Sequence, residues 1–152
     1  MSKKVICPYC GQQFDKDKEE FVKVWNGKRY AHTVCVDILE KMQKILGSKC
    51  NKTKINKQIK QFIEDDKTPQ GILQALNYWY DVKNSDPNLA GGGIGIVPFI
   101  YEEAENYYQK KEYYKQISKQ EIKDYIDKPK KTVNISRKYV RKPKRVKLFT
   151  IN

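Results

Sequence analysis

Histidine is nearly absent from this chain: His32 is the only one in 152 residues. Histidine is the commonest general acid or base, so a chain that spends its one imidazole on another task loses that chemistry. Cysteine is limited to four residues, too few for a dense disulfide framework. No apolar run approaches the ~18 residues that a membrane-spanning helix needs. No secretory signal is expected either, because Met1–Lys4 leads straight into the first motif. These absences predict a cytoplasmic protein without a membrane partner. Acids are missing from one region only. Residues 128–152 hold ten of the 31 basic side chains and none of the 18 acidic ones, so the formal charge of +13 belongs mainly to the tail.

The cysteines are placed with purpose. Cys7-Pro8-Tyr9-Cys10 is answered by His32-Thr33-Val34-Cys35, each pair with two residues between its ligands. A two-residue spacer lets both members reach one ion from a tight turn or from the first turn of a helix. Cys₃His is a usual structural set for one tetrahedral Zn²⁺, and thiolate ligands point to a reducing compartment. Cys50 is left over as a free thiol, a spare ligand being the alternative.

The residues between the pairs read as a hairpin. Gly11 permits the positive φ that a zinc knuckle needs for its amides to face the sulfurs. Phe21-Val22-Lys23-Val24-Trp25 alternates as a half-buried strand. Asn26-Gly27 signals a type I′ turn, and Lys28–Ala31 returns to deliver His32. Thr33 then begins a helix through Val34, Ile38, Leu39, Met42, Ile45 and Leu46, with Gly47 placed as an αL cap. Knuckle, hairpin and ligand-bearing helix make a treble clef. Over about residues 5–47 this resembles the first half of a LIM domain, which has the same ligand pairs. A second set of four ligands is missing, so LIM partners and functions do not carry over.

Beyond Ser48 the pattern is helical. Ile55, Ile59, Phe62 and Ile63 mark one short helix, and Thr68-Pro69 caps the next, which is expected to continue through Leu76, Trp79, Tyr80 and Val82. Gly91–Gly95 contains four glycines, but no Gly-Lys-Ser/Thr follows and no strand precedes it. It therefore reads as a flexible loop, or as a short extended segment (Ile94–Val97) tucked against the helices, and not as a nucleotide site. Pro98 starts a long helix with Ile100, Ala104, Tyr107, Tyr108, Tyr114 and Ile117 along one stripe. Ser118-Lys119-Gln120-Glu121 is a capping-box pattern where that helix can break and restart. The expected fold is α+β, mainly α. It comprises a treble-clef zinc module (1–47), a three- to four-helix domain with the Gly-rich loop (48–127) and a basic extended tail (128–152).

A closed Cys₃His site has no open coordination position to activate water, and HNH-type nucleases, which also use treble clefs, need catalytic histidines that are lacking here. Neither an enzyme nor a small-molecule substrate is expected. The carboxylates at Glu64-Asp65-Asp66 and Glu102-Glu103-Glu105 read as helix-end and surface charges. Lys23, Lys28 and Arg29 form a small basic face on the hairpin. The tail is more pointed: Arg137, Lys138, Arg141, Lys142, Lys144, Arg145 and Lys147, with Tyr139 among them, suit DNA or RNA phosphates and stacking on unpaired bases. The helix beginning at Pro69 offers Gln70, Gln74 and Asn77 as major-groove readers, but a core hairpin packing Trp79 and Tyr80 on the Tyr-rich helix is the preferred reading.

The LIM-like start and the segment Gly-Gly-Ile-Gly-Ile-Val-Pro-Phe-Ile-Tyr (92–101) before a Tyr-rich helix resemble small zinc-binding proteins encoded by phages and mobile elements of low-GC bacteria. That resemblance implies action in a bacterial host cell. The expected function is a zinc-stabilised nucleic-acid-binding or transcription-regulatory protein. The competing expectation is an interaction factor that binds and redirects or inhibits a host protein complex.

Overall fold

The computed structural model describes residues 4–127. The tail cations Arg137 to Lys147, and Tyr139 with them, lie outside the described residues. The chain opens with two hairpins where the sequence predicts one. β1 (Lys4–Ile6) pairs antiparallel with β2 (Gln13–Asp15), and Val5 faces Phe14. With three residues each, these strands are too short for alternation to reveal them. The knuckle itself is their connection: the Cys7 N–H donates to the Gln12 carbonyl at 3.0 Å and the Gly11 N–H to the Cys7 carbonyl at 2.9 Å. β3 (Phe21–Val24) pairs with β4 (Arg29–His32), with Phe21 opposite His32.

The turn between β3 and β4 has positive φ at Asn26 (57°) and Gly27 (82°), as a type I′ turn requires, and the Lys28 N–H closes it on the Trp25 carbonyl at 3.2 Å. Trp25 is not the last strand residue that its alternation predicts. Its φ is 53°, so the chain has already left the strand.

α1 (Thr33–Leu46) follows directly from β4 and puts Cys35 in its first turn. It ends at Gly47, but not in the αL cap expected there: φ is 54° and ψ is −124°, and Gly47 opens a 3₁₀ turn to Lys49. α2 (Lys52–Glu64) is capped by Asn51, whose Oδ1 accepts from the Lys54 N–H at 3.0 Å. α3 (Pro69–Asn77) is capped by Thr68, whose Oγ1 accepts from the Gly71 N–H at 3.0 Å. The helix expected to reach Val82 does so only as a π-helical turn, Tyr78–Val82, where the Lys83 N–H bonds the Tyr78 carbonyl at 3.0 Å. None of these five residues is a strong helix former, which lowers the cost of leaving the α ladder. Tyr78, not Trp79 or Tyr80, makes the ring contact to the Tyr-rich helix, at 5.2 Å from Tyr107. Its hydroxyl donates to Glu103 at 2.6 Å, and the Lys83 ammonium joins the same carboxylate at 2.8 Å. Gln74 and Asn77 are half-buried on this packed helix.

The Gly-rich loop lies against α2. The Asn51 N–H donates to the Gly92 carbonyl at 2.9 Å, and the Ile94 N–H to Gln58 Oε1 at 2.8 Å. A Cβ on Gly92 would come within 2.7 Å of the Lys49 carbonyl oxygen, and one on Gly93 within 2.5 Å of Gln58 Oε1. These glycines permit close backbone approach, and the approach buries Ile94 and Val97 fully. Of the two alternatives for this segment, the structure supports the tucked one, but Ile94–Val97 turns and is not extended.

α4 (Val97–Asp127) runs without the break that the capping-box pattern allows. Its Val97, Ile100 and Ala104 are buried and Tyr107 and Tyr108 half-buried, whereas Tyr114, expected on the packed stripe, is 66 % exposed. The chain up to Gln116 forms one compact unit. Its core contains the fully buried Ile38, Met42, Ile55, Ile59, Ile72, Leu76, Ile94 and Val97 and is continuous with Cys7, Cys10, Phe14 and Cys35. At about 1.5–3 kcal/mol for each large aliphatic side chain removed from water, these residues dominate the helical part.

Candidate metal centre

Three separate elements bring the four predicted ligands together. The knuckle between β1 and β2 supplies Cys7 and Cys10, the end of β4 supplies His32, and the first turn of α1 supplies Cys35. Their ligand atoms all lie within 4.8 Å of one another, and Cys10 Sγ is 3.3 Å from His32 Nδ1. With metal–sulfur bonds of about 2.3 Å and metal–nitrogen bonds of about 2.0–2.1 Å, a tetrahedral Cys₃His zinc site has edges of roughly 3.5–3.8 Å. The four donors therefore lie within about an ångström of those edges, close enough to hold one small ion. Cys7 and Cys35 are fully buried and Cys10 is 4 % exposed, so four protein ligands enclose the centre.

The backbone also prepares the site. Gly11 has φ 78°, a conformation that costs glycine little. The amides of Cys10 and His32 favour the Cys7 thiolate, and that of Gln12 favours the Cys10 thiolate. Cys7 is held far below the usual thiol range, chiefly by hydrogen bonds from the thiols of Cys10 and Cys35 and further by those two amides. Cys10 is pushed up to about 11: its bond to Cys35 lowers it, but its bond to Cys7 and burial outweigh that. Cys35 is pushed far up by its bonds to Cys10 and Cys7 and by burial. Three thiolates this close repel strongly and ionise together only around a cation, and a bound divalent ion deprotonates coordinating thiols outright.

His32 uses its two nitrogens differently. Nδ1 faces the cysteines, and Nε2 lies 3.4 Å from a carboxylate oxygen of Glu19. A carboxylate behind a ligating imidazole holds its tautomer and ring orientation. Phe14 packs on the same ring, with centroids 4.3 Å apart. Neither Glu19 nor Phe14 stands out as a site residue in the sequence, where Asp15–Glu20 reads as a charged connector. The register could have found Glu19: counting back from Asn26-Gly27 sets Phe21 opposite His32, which leaves Glu19 and Glu20 beside the imidazole.

Elsewhere, the Gly-rich loop hydrogen-bonds to α2 through the Gly91 and Gly92 carbonyls and the Ile94 N–H. Lys23, Lys28 and Arg29 are exposed on the second hairpin, as expected. Among the described residues, no helix is long and apolar enough to cross a membrane.

The chain matches no established family model and no solved structure. It does match a curated protein of Bacillus subtilis (strain 168), described as "SPbeta prophage-derived uncharacterized protein YorH". The two are 34 % identical over 120 residues, which cover 71 % of this chain and 74 % of the relative. Identity at that level across most of both chains places this protein in the same family as the prophage-derived YorH.

Proposed function

We propose that this is a phage protein, stapled by one structural zinc ion, that binds nucleic acid in a non-enzymatic and regulatory role, with residues 128–152 as its main electrostatic contact. The observation that carries the reading is the segregation of charge: those residues contain ten cations and no acid, whereas the rest of the chain has nearly balanced charge. Zinc follows from the donor set, since three thiolates and an imidazole in a tetrahedron suit it best among common ions. The enclosed centre supports a structural role for the metal, and the prophage-derived relative supports the phage setting.

Salt titration tests the function. If six tail cations meet phosphates, log K falls with log salt at a slope of about −5 on duplex DNA. Deleting residues 128–152 abolishes that binding, and binding that survives the deletion refutes the assignment to the tail. Metal analysis should return one zinc per chain, lost in Cys10→Ser.

A second reading, capture of a host protein, is favoured by exposed apolar side chains, notably Phe99 at 83 % and Leu89 at 77 %. Under that reading, a pull-down from nuclease-treated host lysate retains one stoichiometric protein. Recovery of none refutes it.

A further inference from the structure

The turn between β3 and β4 carries more than a hairpin needs. Trp25 adopts a left-handed backbone (φ 53°), which is rare for a bulky side chain and recurs at functional sites. The residue nevertheless stays 56 % exposed. The ring meets Tyr9 edge-on, with centroids 6.5 Å apart, and the Arg29 guanidinium lies 6.0 Å from its centroid.

Two clefts meet this turn. The first, of about 560 Å³, is walled by Tyr9, Trp25, Val36 and Leu39. Asn56 also lines it, and its buried Oδ1 has no hydrogen-bond partner among the described residues. Lys44, Lys52 and a single acid, Glu40, complete its rim. The second, of about 490 Å³, is lined by Lys4, Lys28 and Arg29 with Gln13 and Tyr30, and includes no acid. A largely apolar aromatic slot beside a cleft that carries three cations and no acid is complementary to a flat heterocycle on an anionic chain. The face of an unpaired base stacks on indole. Bases in a duplex do not offer that face, because they are paired and stacked.

We propose that the β3–β4 turn is a binding site for single-stranded nucleic acid. An unpaired base stacks on Trp25 in the first cleft, and the flanking phosphates are held by Lys28, Arg29 and Lys4. This rests on the nucleic-acid reading above and adds a strand-selective site on the folded body, separate from the tail.

The test uses the full, zinc-loaded chain with a labelled oligonucleotide, single-stranded or annealed to its complement, followed by anisotropy at low salt. Trp25→Ala should weaken single-strand binding about 5- to 100-fold and leave duplex binding unchanged, while Trp25→Phe retains most of the affinity. Replacing Lys28 and Arg29 by alanine should flatten the salt slope on single strands by about 0.7 for each phosphate no longer neutralised. In a Trp79→Phe background Trp25 is the sole indole, and its fluorescence should be quenched by the single strand only. Zinc content and far-ultraviolet circular dichroism show whether each variant is folded.

Each outcome decides something. If the parent binds and folded Trp25→Ala binds a single strand equally well, this site is refuted and the tail reading stands. If deletion of 128–152 spares single-strand binding that Trp25→Ala reduces, the site stands and the tail assignment is refuted. If the parent binds neither form, both are refuted. Quenching of Trp25 by a nuclease-treated protein fraction, with none by the oligonucleotide, makes the cleft a protein site and overturns the proposal.

Discussion

The hairpin region and the helical region of this protein are held together by different forces. From Lys4 to Val34 only Cys7, Cys10, Phe14 and Ala31 are buried, and two of those four are metal ligands. From Cys35 to Ala104 the buried set includes Ile38, Met42, Ile55, Ile59, Ile72, Leu76, Ile94 and Val97. Strands of three or four residues with so little apolar burial are not stable as isolated hairpins. A metal ion on the four clustered donors would therefore be the main stabiliser of the first region, as apolar burial is of the second. Cys35 belongs to both, because it is a ligand on the helix that carries Ile38 and Met42 into the core.

Removing the metal tests this contrast most severely. Structural zinc in small modules contributes roughly 10 to 16 kcal/mol of apparent folding free energy. Cys10→Ser, or a chelator, should unfold both hairpins while α2 to α4 keep helical structure. Amide hydrogen exchange reads this directly: loss of protection in residues 4–32 with retention in α3 supports two stabilising forces, whereas uniform loss means one cooperative unit. Leu76→Ala is the converse experiment. Leu76 is fully buried, so truncation should cost about 2–5 kcal/mol, measured by denaturant unfolding, without changing zinc stoichiometry.

Glu19→Gln addresses the metal region more gently. It keeps the shape behind His32 but removes the carboxylate charge, and loss of such a partner lowers metal affinity about 10- to 100-fold. Competition with a chromogenic chelator measures it, and an unchanged affinity would show that the 3.4 Å approach of Glu19 to His32 is incidental. The smallest expected effect belongs to Glu103. Hydrogen bonds from Lys83 and Tyr78 hold its carboxyl below the usual range. A depressed carboxylate adds stability above its unfolded pKa and loses it as pH falls through the folded one. Parent and Glu103→Gln should therefore differ near neutral pH and converge in acid. A gap that persists in acid removes the charge explanation.

Much of this protein is decided by chemistry between near neighbours in sequence, and that part is legible without coordinates. The ligand pairs are separated by two residues, the Asn26-Gly27 turn is contiguous, and Thr68 caps the helix that starts at Pro69. Each depends on groups that the chain already holds within one turn, so residue type and spacing suffice. The two hairpins also illustrate the limit. The longer strands of the second show alternation, while the three-residue strands of the first do not.

Other features exist only because distant segments meet. Glu19 stands behind His32 through strand register, the glycines of the loop are needed because that loop lies on α2, and Glu103 gathers Tyr78 and Lys83 across two helices. The clefts at the hairpin tip likewise join Trp25 to residues of α1 and α2, and Arg29 to residues of β1. No residue type or local spacing encodes such meetings, because packing selects them once the elements have formed. The sequence by itself determined a four-ligand metal site on a hairpin and helix, ahead of helices and a basic tail. Tertiary structure alone decided what stands behind that site and what surface it supports.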